Sequence, residues 1–597
     1  MDYSKLVSYY KKLEKTTKRL EKTKIVAELL EKTKEEHLEK TIFLLEGRIF
    51  PKWDERKTGI SSRLMIKAIN SATGVPNEKI EKEWAKKGDL GIVVEELIKT
   101  KKQTTLFSKK LTITKVFENI RKLPELTGKG TVPKKINLIT ELLTSATPEE
   151  ARFVARTVIE DLRIGVKEGV IRDSIVWAFL PRVKGINGKE GKTKKIKKLE
   201  DLTLKPKIIE ADSEKLAREV YNKLISIVEN AYNLTNDFSE VALAAKKHKL
   251  NTLKMQVGKP INPMLAIKAE SPEDAFKSVG SPAQLEYKLD GFRLQIHKEE
   301  KEIKLFTRRL ENVTNQFKEI IPTIKSHIKA KSCILDSELV GFDPKTKNYL
   351  PFQNISKRIK RKYDIEKKSE ELPVEINVFD VISLNEEPLL SKTQKERRKI
   401  LEKIIKEEKT KLIIVKKLVT SSKKELEKFY KESLKKGNEG IMVKSIESKY
   451  VPGRRVGGWV KIKPTKETLD LIIVGADWGE GKRVKWLSSF TIACRDNNKL
   501  LTIGKVGTGI AEKDNELTFE KLTKELKPLI TEQKGKHVKL KPKLILEISY
   551  DEIQKSPTYS SKFALRFPRV IKKREDLGFN DIDTLDRIKK FYKQQTK

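Results

Sequence analysis

The stretch LEYKLDGFRLQIH, residues 285–297, places a lysine directly before a tight turn between two strands. Lys288 lies two residues before Asp290-Gly291, and alternating apolar and polar residues follow the turn. Glycine permits backbone conformations and close approaches that other residues resist, so the stretch predicts strand, turn and strand. A lysine fixed at such a turn, with Arg293 just beyond it, suits covalent chemistry on a phosphate. A surface Asp-Gly turn flanked by charges is the alternative.

The chain has 597 residues and a formal net charge of +43. This length exceeds a single hydrophobic core, so about three domains are expected. An excess of positive charge of this size favours a polyanionic partner, with nucleic acid ahead of an acidic membrane surface. A Lys/Glu-rich surface of the kind found in thermophiles is the alternative explanation.

Cysteine and histidine are too scarce for a disulfide framework or a structural zinc site. The two cysteines, Cys333 and Cys494, lie far apart, and there are five histidines. The N-terminal residues form a charged amphipathic pattern rather than a signal peptide, and no apolar run approaches transmembrane length. The sequence therefore predicts a soluble cytoplasmic protein with no membrane partner.

The spacing of apolar residues changes twice along the chain, which predicts three domains. Residues 1–240 repeat apolar positions at three- and four-residue steps, as in an all-α domain. Residues 255–465 alternate short strands with helices, which indicates a mixed α/β domain. Residues 466–597 contain short strands and one helix, which fits a small β-barrel. The Lys- and Gly-rich stretch 185–207 lacks periodicity and predicts a mobile basic loop.

Charged side chains on other predicted strands point to a phosphate and nucleotide site. Strand alternation in ILDSELVGFD (334–343) puts Asp336 and Glu338 on one face. Paired carboxylates there can hold a ribose hydroxyl or a divalent metal, and a solvent-facing strand edge is the alternative. Lys461 and Lys463 also share a face and would repel each other unless they meet a polyphosphate. Phe379 is either a core aromatic or a ring that stacks on a purine.

Taken in chain order, these segments resemble the motifs of ATP-dependent DNA ligases of archaeal and eukaryotic replicative type. The resemblance covers nearly the whole chain and rests on EYKLDGFRLQIH (286–297), FTRRLENVT (306–314), ILDSELVGFD (334–343), VFDVISLNEEPLL (378–390), EGIMVKS (439–445), YVPGRRVGGWVKIKP (450–464), LDLIIVGADWGEGKR (469–483), GKVGTGI (504–510) and LRFPRVIKKRED (565–576), with GDLGIVVEEL (88–97) and ARTVIEDLRIGV (155–166) in the helical part. It implies an all-α DNA-binding domain, an α/β (α+β) nucleotidyltransferase domain and a C-terminal OB-fold β-barrel.

The resemblance also implies a reaction. Lys288 would attack the α-phosphate of ATP, release pyrophosphate and carry AMP as a phosphoramidate. AMP would then pass to the 5′-phosphate of a nick in duplex DNA, and the 3′-hydroxyl would displace it, in replication, repair and recombination. By the same resemblance the surrounding residues divide into an adenine pocket (Glu286, Phe379), contacts to ribose and phosphates (Arg293, Arg308, Glu338), Mg²⁺ ligands (Glu338, Glu439) and cations for the phosphate charge (Arg455, Lys461, Lys463).

The C-terminal motif departs from the family pattern. The resemblance implies that Arg569, Lys572, Lys573 or Arg574 faces the leaving pyrophosphate. The family commonly ends this motif in an Asp-Lys pair, whereas here Leu577 follows Asp576. Lys572 or Lys573 is the expected substitute for the missing lysine.

Gln103–Phe107, QTTLF, resembles the peptide that docks replicative enzymes onto a sliding clamp. A helix cap followed by two core apolar residues is the alternative. A monomer is expected.

The rival enzyme reading is an RNA ligase or a capping-type nucleotidyltransferase. The long basic helical domain argues against capping, because it suits phosphate contacts to duplex DNA. The absence of four zinc-binding cysteines argues against an NAD-dependent ligase. A non-catalytic nucleic-acid-binding protein would not need Lys288, Glu338, Glu439, Lys461 and Lys463 together.

Overall fold

The computed structural model describes most of the chain in two units. The described residues are 1–54, 56–100, 110–128, 130–188, 193–300, 302–359, 369–453, 458–464, 467–479, 483–512 and 517–595. The first unit is Met1–Lys463 and the second is Pro464–Lys597. Within the described residues, no helix has both the length and the apolar character needed to cross a membrane. The domain boundaries expected near residues 240, 255 and 465 stay predictions.

The N-terminal part of the first unit is mainly helical, as its apolar spacing predicts. The helices are α1 (Tyr3–Glu14), α2 (Arg19–Lys32), α3 (Glu35–Leu45), α4 (Ser62–Thr73), α5 (Asn77–Lys87), α6 (Leu90–Lys99), α7 (Ile113–Lys122), α8 (Thr131–Ser145), α9 (Pro148–Val158), α10 (Glu168–Phe179), α11 (Glu214–Thr235) and α12 (Phe238–Lys246). A capping box between Thr147 and Glu150 begins α9. The apolar faces of the helices share one core, in which Tyr3, Tyr10 and Phe153 are fully buried.

A small sheet interrupts the helices where the sequence predicts a loop. Strands β1 (Arg182–Val183), β2 (Thr193–Ile196) and β3 (Ile208–Ala211) form a parallel sheet in the order β1-β3-β2. The loop prediction is therefore wrong for Thr193–Ile196. Ile196 and Ile209 are buried in the helical core, and the surrounding lysines conceal this short apolar pattern in the sequence.

Two larger sheets form the rest of the first unit, in agreement with the expected α/β domain. Their strands are β4 (Ile267–Lys268), β5 (Ala283–Lys288), β6 (Phe292–Glu299), β7 (Glu302–Thr307), β8 (Ser332–Gly341), β9 (Val374–Leu384), β10 (Glu387–Pro388), β11 (Leu412–Ile414), β12 (Lys417–Thr420), β13 (Gly440–Ser445) and β14 (Trp459–Ile462), and their helices are α13 (Pro272–Val279), α14 (Ile321–His327), α15 (Phe352–Ile359), α16 (Gln394–Ile404) and α17 (Lys423–Lys435). The first sheet has the order β10-β9-β8-β6-β7, with β11 parallel to β9. The second has the order β12-β5-β13-β14-β4.

The second unit is rich in strands, as expected for a C-terminal OB-fold barrel. Its elements are β15 (Leu469–Trp478), β16 (Leu487–Asp496), β17 (Lys499–Val506), α18 (Phe519–Leu526), β18 (Ile530–Lys534), β19 (His537–Leu540), β20 (Ile545–Ser549), β21 (Glu552–Lys555), β22 (Phe563–Arg566), β23 (Arg569–Lys573) and α19 (Leu585–Gln595). The main sheet has the order β17-β16-β15-β19-β18, and β20 joins β15 to β23. The apolar residues of 536–549 form two strands, β19 and β20, because Pro542 lies between them and cannot donate to a sheet ladder.

Candidate active site

Lys288 lies at the junction of the two sheets of the first unit. It is the last residue of β5 in the second sheet, and β6 of the first sheet begins four residues later at Phe292. The predicted strand, turn and strand are confirmed, but the two strands pair with different neighbours. Gly291 allows this crossing, because a Cβ there would lie 2.7 Å from both Glu338 Cγ and the Leu339 carbonyl oxygen.

Glu439 is held beside Lys288 by the main chain and by charge. The Glu439 amide donates to the Lys288 carbonyl at 2.9 Å, and Glu439 Oε2 lies 2.6 Å from Lys288 Nζ and 2.6 Å from Lys463 Nζ. Burial acts to raise the pKa of Glu439, but the two ammonium groups outweigh it and lower the pKa to about 2. The carboxylate therefore carries its charge at neutral pH.

Lys461 belongs to the same cationic cluster. It lies on β14, opposite Met442 of β13, which in turn lies opposite Glu286 of β5. Burial lowers the pKa of Lys461, and the charges of Lys463 and Lys288 lower it further. Like charges gathered in this way are stabilised by a polyanion, and the sheet presents them on one side.

The acidic strand β8 faces the same space from the first sheet. Glu338 lies opposite Arg293 of β6, and Arg293 Nη2 donates to Asp336 Oδ2 at 2.7 Å. The two carboxylates thus share a face, as strand alternation predicts. Burial raises the pKa of Glu338 to about 7, against the opposing effect of Lys288 and Arg293. Asp336 Oδ2 also accepts from the Tyr450 hydroxyl at 2.5 Å, so this oxygen is occupied within the protein.

Phe379 occupies an irregular position in β9. The pairing with β8 shifts at this point, because Asp336 lies opposite Asp380 while the next residue, Ser337, lies opposite Val378. Phe379 is therefore the extra residue of a β-bulge, a feature that redirects a side chain. Its ring is partly buried and lies 5.3 Å from the Arg293 guanidinium carbon. A core aromatic and a purine-stacking ring both fit this position.

Glu286 lies deeper in the site, surrounded by donors. Its Oε2 is 2.6 Å from Lys444 Nζ, and its Oε1 accepts from Gln284 Nε2 at 2.7 Å and lies 3.4 Å from Arg398 Nη1. Arg397, the residue before Arg398, forms a fully buried ion pair with Asp380. Sequence reasoning assigned no role to these supporting residues, although alternation places Lys444 on the face of Glu286. The arginines belong to a charged helix, a pattern that is typical of a solvated surface.

The remaining predicted residues lie in different places. Arg308 is exposed in the turn after β7. Arg455 and the clamp-like segment Gln103–Phe107 fall outside the described residues. In the second unit, Leu577 packs against a small apolar cluster with Ile472 and Ile545.

The carboxylates of the site are too few to hold a metal ion by themselves and fit one that is also bound by a nucleotide. Within the described residues, His, Cys, Asp and Glu form no group of three or more that could hold a metal ion. The charge of Lys288 lowers the pKa of both Glu338 and Glu439, and the charge of Glu439 raises the pKa of Glu338. One or two carboxylates plus phosphate oxygens and water are the usual surroundings of Mg²⁺, so these two residues fit a metal that arrives with a nucleotide.

Three family models match the chain. One described as "DNA ligase N terminus" matches residues 2–176, "ATP dependent DNA ligase domain" matches 263–463, and "ATP dependent DNA ligase C terminal region" matches 483–577. The DNA ligase of Nanoarchaeum equitans is 42% identical over 603 residues, which cover 100% of this chain and 99% of that protein. The chain belongs to the ATP-dependent DNA ligase family. The predicted family is thus confirmed, and with it ATP-dependent sealing of nicks in duplex DNA, the activity of a ligase of this family in replication and repair.

Other comparisons agree with this ligase assignment. The DNA ligase of Thermococcus onnurineus is 41% identical over 604 residues, which cover 100% of this chain and 98% of that protein. The solved structures Pmar-Lig_PreS3 and Pmar-Lig_Pre share the fold with TM-scores of 0.55 and 0.56 at 18% identity. They cover 95% and 96% of this chain and 99% of each solved chain. The predicted ligase architecture, with a helical part, a nucleotidyltransferase part and a strand-rich C-terminal part, is therefore confirmed.

Proposed function

We propose that this ligase seals nicks through a covalent lysine–AMP intermediate at Lys288. The observation that carries the proposal is the ion-paired group of Lys288, Glu439 and Lys463, with Nζ–Oε2 distances of 2.6 Å. This arrangement suits attack on a phosphate, because it combines a lysine amine with a carboxylate and a further cation. Lys461 on the adjacent strand adds positive charge to the same side.

In the first step, the neutral amine of Lys288 attacks the α-phosphorus of ATP. The N–P bond forms as the bond from phosphorus to the bridging oxygen breaks, and pyrophosphate leaves with that electron pair. Lys288 must lose its proton before it attacks, so its ion pair with Glu439 has to weaken first. Lys461 and Lys463 neutralise the charge that develops on the phosphate oxygens.

The other residues of the site orient the nucleotide. Phe379 stacks on the adenine ring from its position in the bulge, and Glu286 accepts a hydrogen bond from the edge of the base. Glu338 binds the ribose or the metal, Arg293 and Arg308 contact ribose and phosphates, and Arg455 adds a cation by the resemblance of its motif.

We assign Mg²⁺ to Glu338 and Glu439. Glu439 carries its charge at neutral pH, since its pKa is about 2. Glu338, with a pKa near 7, becomes a better ligand as a nearby cation favours its ionised form. Bound there, the ion would supply positive charge to the phosphate oxygens.

We assign the pyrophosphate contact of the first step to Lys572. Leu577, which stands where the family carries a lysine, packs into an apolar cluster. Lys573 Nζ lies 2.6 Å from a Glu525 oxygen and 2.8 Å from a Glu575 oxygen, whereas Lys572 is exposed and lies 3.6 Å from Glu547. An exposed amine with a long ion pair is the more available cation. We expect Lys572→Ala to slow lysine–AMP formation at least about tenfold, and the matched change Lys573→Ala to have a smaller effect.

We also propose a monomer that binds a sliding clamp through Gln103–Phe107. Clamp pull-down with Leu106 and Phe107 changed to Ala tests this contact, and unchanged retention would remove it. Light scattering of the free protein tests the monomer, and a stable dimer mass would contradict it.

Labelling with radioactive nucleotides tests the main proposal. The protein is incubated with α-labelled ATP, α-labelled GTP or adenylate-labelled NAD plus Mg²⁺ and separated on a denaturing gel. Label from ATP that disappears in Lys288→Ala supports the proposal, and no label from any nucleotide would overturn it. A chase of the labelled enzyme with a nicked DNA duplex or a nicked RNA duplex then separates a DNA ligase from the RNA-ligase alternative, and label from GTP would indicate capping chemistry.

A further inference from the structure

Glu286 is a buried carboxylate whose charge is balanced by two buried cations. Glu286 is 1% exposed, Lys444 is 1% exposed and Arg398 is 5% exposed. An ionised carboxylate without such partners would be costly to bury. The protein therefore uses two cations in its interior to hold one carboxylate on the nucleotide face of the second sheet.

The strand register explains how these side chains meet. Lys444 of β13 lies opposite Gln284 of β5 and opposite Trp459 of β14, and Glu286 is the next residue along on the same face of β5. Lys444 therefore reaches Glu286 diagonally across the strand pair. Arg398 arrives from α16, where Val415 O accepts from its Nη2 at 2.9 Å.

Among the described residues, the contacts to Glu286 leave its carboxylate able to accept a further hydrogen bond. A carboxylate has about four lone-pair positions. Gln284 and Arg398 approach Oε1, and Lys444 approaches Oε2. A further N–H donor can therefore bind this carboxylate, and an adenine 6-amino group is such a donor.

Lys444 also connects the carboxylate to the ring that we assign to adenine stacking. Its Nζ lies 5.0 Å from the centre of the Phe379 ring and 4.3 Å from the centre of the Trp459 ring. The edge of a base stacked on Phe379 therefore comes close to Glu286. Burial lowers the pKa of Lys444, and Glu286 and Asp380 oppose that change.

We propose that Lys444 is a positioning residue that fixes the Glu286 carboxylate as the acceptor for the adenine 6-amino group, with Arg398 as the second counter-charge. The proposal rests on the proposed function, because it requires ATP to bind this face. Lys444 does not touch the reacting phosphate; it acts through Glu286 on the choice of base.

The test compares ATP with purine riboside triphosphate, which lacks only the 6-amino group. The ratio of kcat/KM for labelling Lys288 is measured for the full-length wild type, Lys444→Met, Lys444→Arg and the exposed-surface control Lys435→Met. We expect the wild type and the control to prefer ATP by about tenfold to hundredfold, the range of a hydrogen bond to a charged acceptor. We expect Lys444→Met to reduce the preference to less than about threefold and Lys444→Arg to restore most of it.

The ratio of kcat/KM between the two triphosphates distinguishes a loss of positioning from a loss of folded protein. A loss of folded protein lowers both rates together and leaves the ratio unchanged, so an unchanged preference in Lys444→Met would overturn the proposal. If Lys444→Met is insoluble, Lys444→Gln carries the same test with the same overturning result. A wild type that uses both triphosphates equally would also overturn the proposal while leaving lysine–AMP chemistry intact. Absence of label from ATP would instead overturn the proposed function.

Discussion

Glu338 and Glu439 lie beside the same lysine, yet their pKa values shift in opposite directions. Glu439 contacts two ammonium groups, which lower its pKa to about 2, whereas burial dominates at Glu338 and raises its pKa to about 7. The site thus holds one carboxylate that is charged at neutral pH and one carboxyl group whose pKa is close to neutral pH. The second is costly to ionise in the free protein, which suits a group that gains its partner with the nucleotide.

Glu338→Gln should therefore stabilise the ligand-free protein at alkaline pH. The folded pKa of about 7 exceeds the ordinary value of 4.5, so the wild type loses stability as pH rises from the lower value to the higher one. We expect the variant to gain about 1–3 kcal/mol in free energy of unfolding above about pH 8, and nothing below about pH 4.5. Urea unfolding without metal or nucleotide measures the free energy of unfolding in the two pH ranges. An equal gain in both ranges would contradict a raised pKa for Glu338.

Arg397 offers a test of how much a buried ion pair contributes to stability. Its guanidinium and the Asp380 carboxylate are both fully buried and lie 2.8 Å apart. Arg397→Met leaves the carboxylate without its partner, so we expect a loss of about 3–5 kcal/mol in free energy of unfolding. The double variant Asp380→Leu/Arg397→Met should recover much of the loss. A single variant as stable as the wild type would contradict a stabilising role for this buried ion pair.

The sequence predicts individual side chains well only where a simple alternation applies. It places Asp336 with Glu338 along β8, and Lys461 with Lys463 at the end of β14, because two-residue alternation holds through both stretches. It does not predict that Phe379 lies in a bulge, since a bulge depends on pairing with β8. It also misses Arg398, because a buried cation is recognised only when its partner, Glu286, is brought to it by the fold.

The contact between β13 and β14 depends on Gly440. Its φ is +144°, and a Cβ there would lie 2.1 Å from the Ile462 carbonyl oxygen. Glu439 and Lys463 flank this contact, so the backbone fit sets their ion pair. The short strand EGIMVKS can be predicted from the sequence, but this close approach cannot.

Gly440→Ala should separate the two strands, whereas Gly437→Ala should be mild. Gly437 also has positive φ, +78°, but an added Cβ meets nothing within 4 Å. For Gly440→Ala we expect a loss of at least about 3 kcal/mol in free energy of unfolding and strongly reduced lysine–AMP formation. For Gly437→Ala we expect a loss of about 1 kcal/mol in free energy of unfolding. Thermal or urea unfolding with ATP labelling measures both. Equal effects of the two changes would show that backbone conformation, not strand contact, governs this segment.

The net charge of +43 predicts strongly salt-dependent binding to DNA. A protein that contacts about six or more phosphates should lose about a thousandfold in affinity for a nicked duplex between about 50 and 200 mM salt. Fluorescence anisotropy measures the slope of log K against log salt concentration. Lys288→Ala should leave that slope unchanged within about one, and binding that does not vary with salt would contradict phosphate contacts as its source.

Peptide mass spectrometry can show directly whether Lys288 is the covalent carrier of AMP. The protein is incubated with ATP and Mg²⁺, digested under conditions that preserve phosphoramidates, and analysed by fragmentation mass spectrometry. AMP on the peptide that contains Lys288, with fragments that place it on that side chain, is the predicted result. AMP on another residue, or persistent adenylation of Lys288→Ala, would contradict the claim.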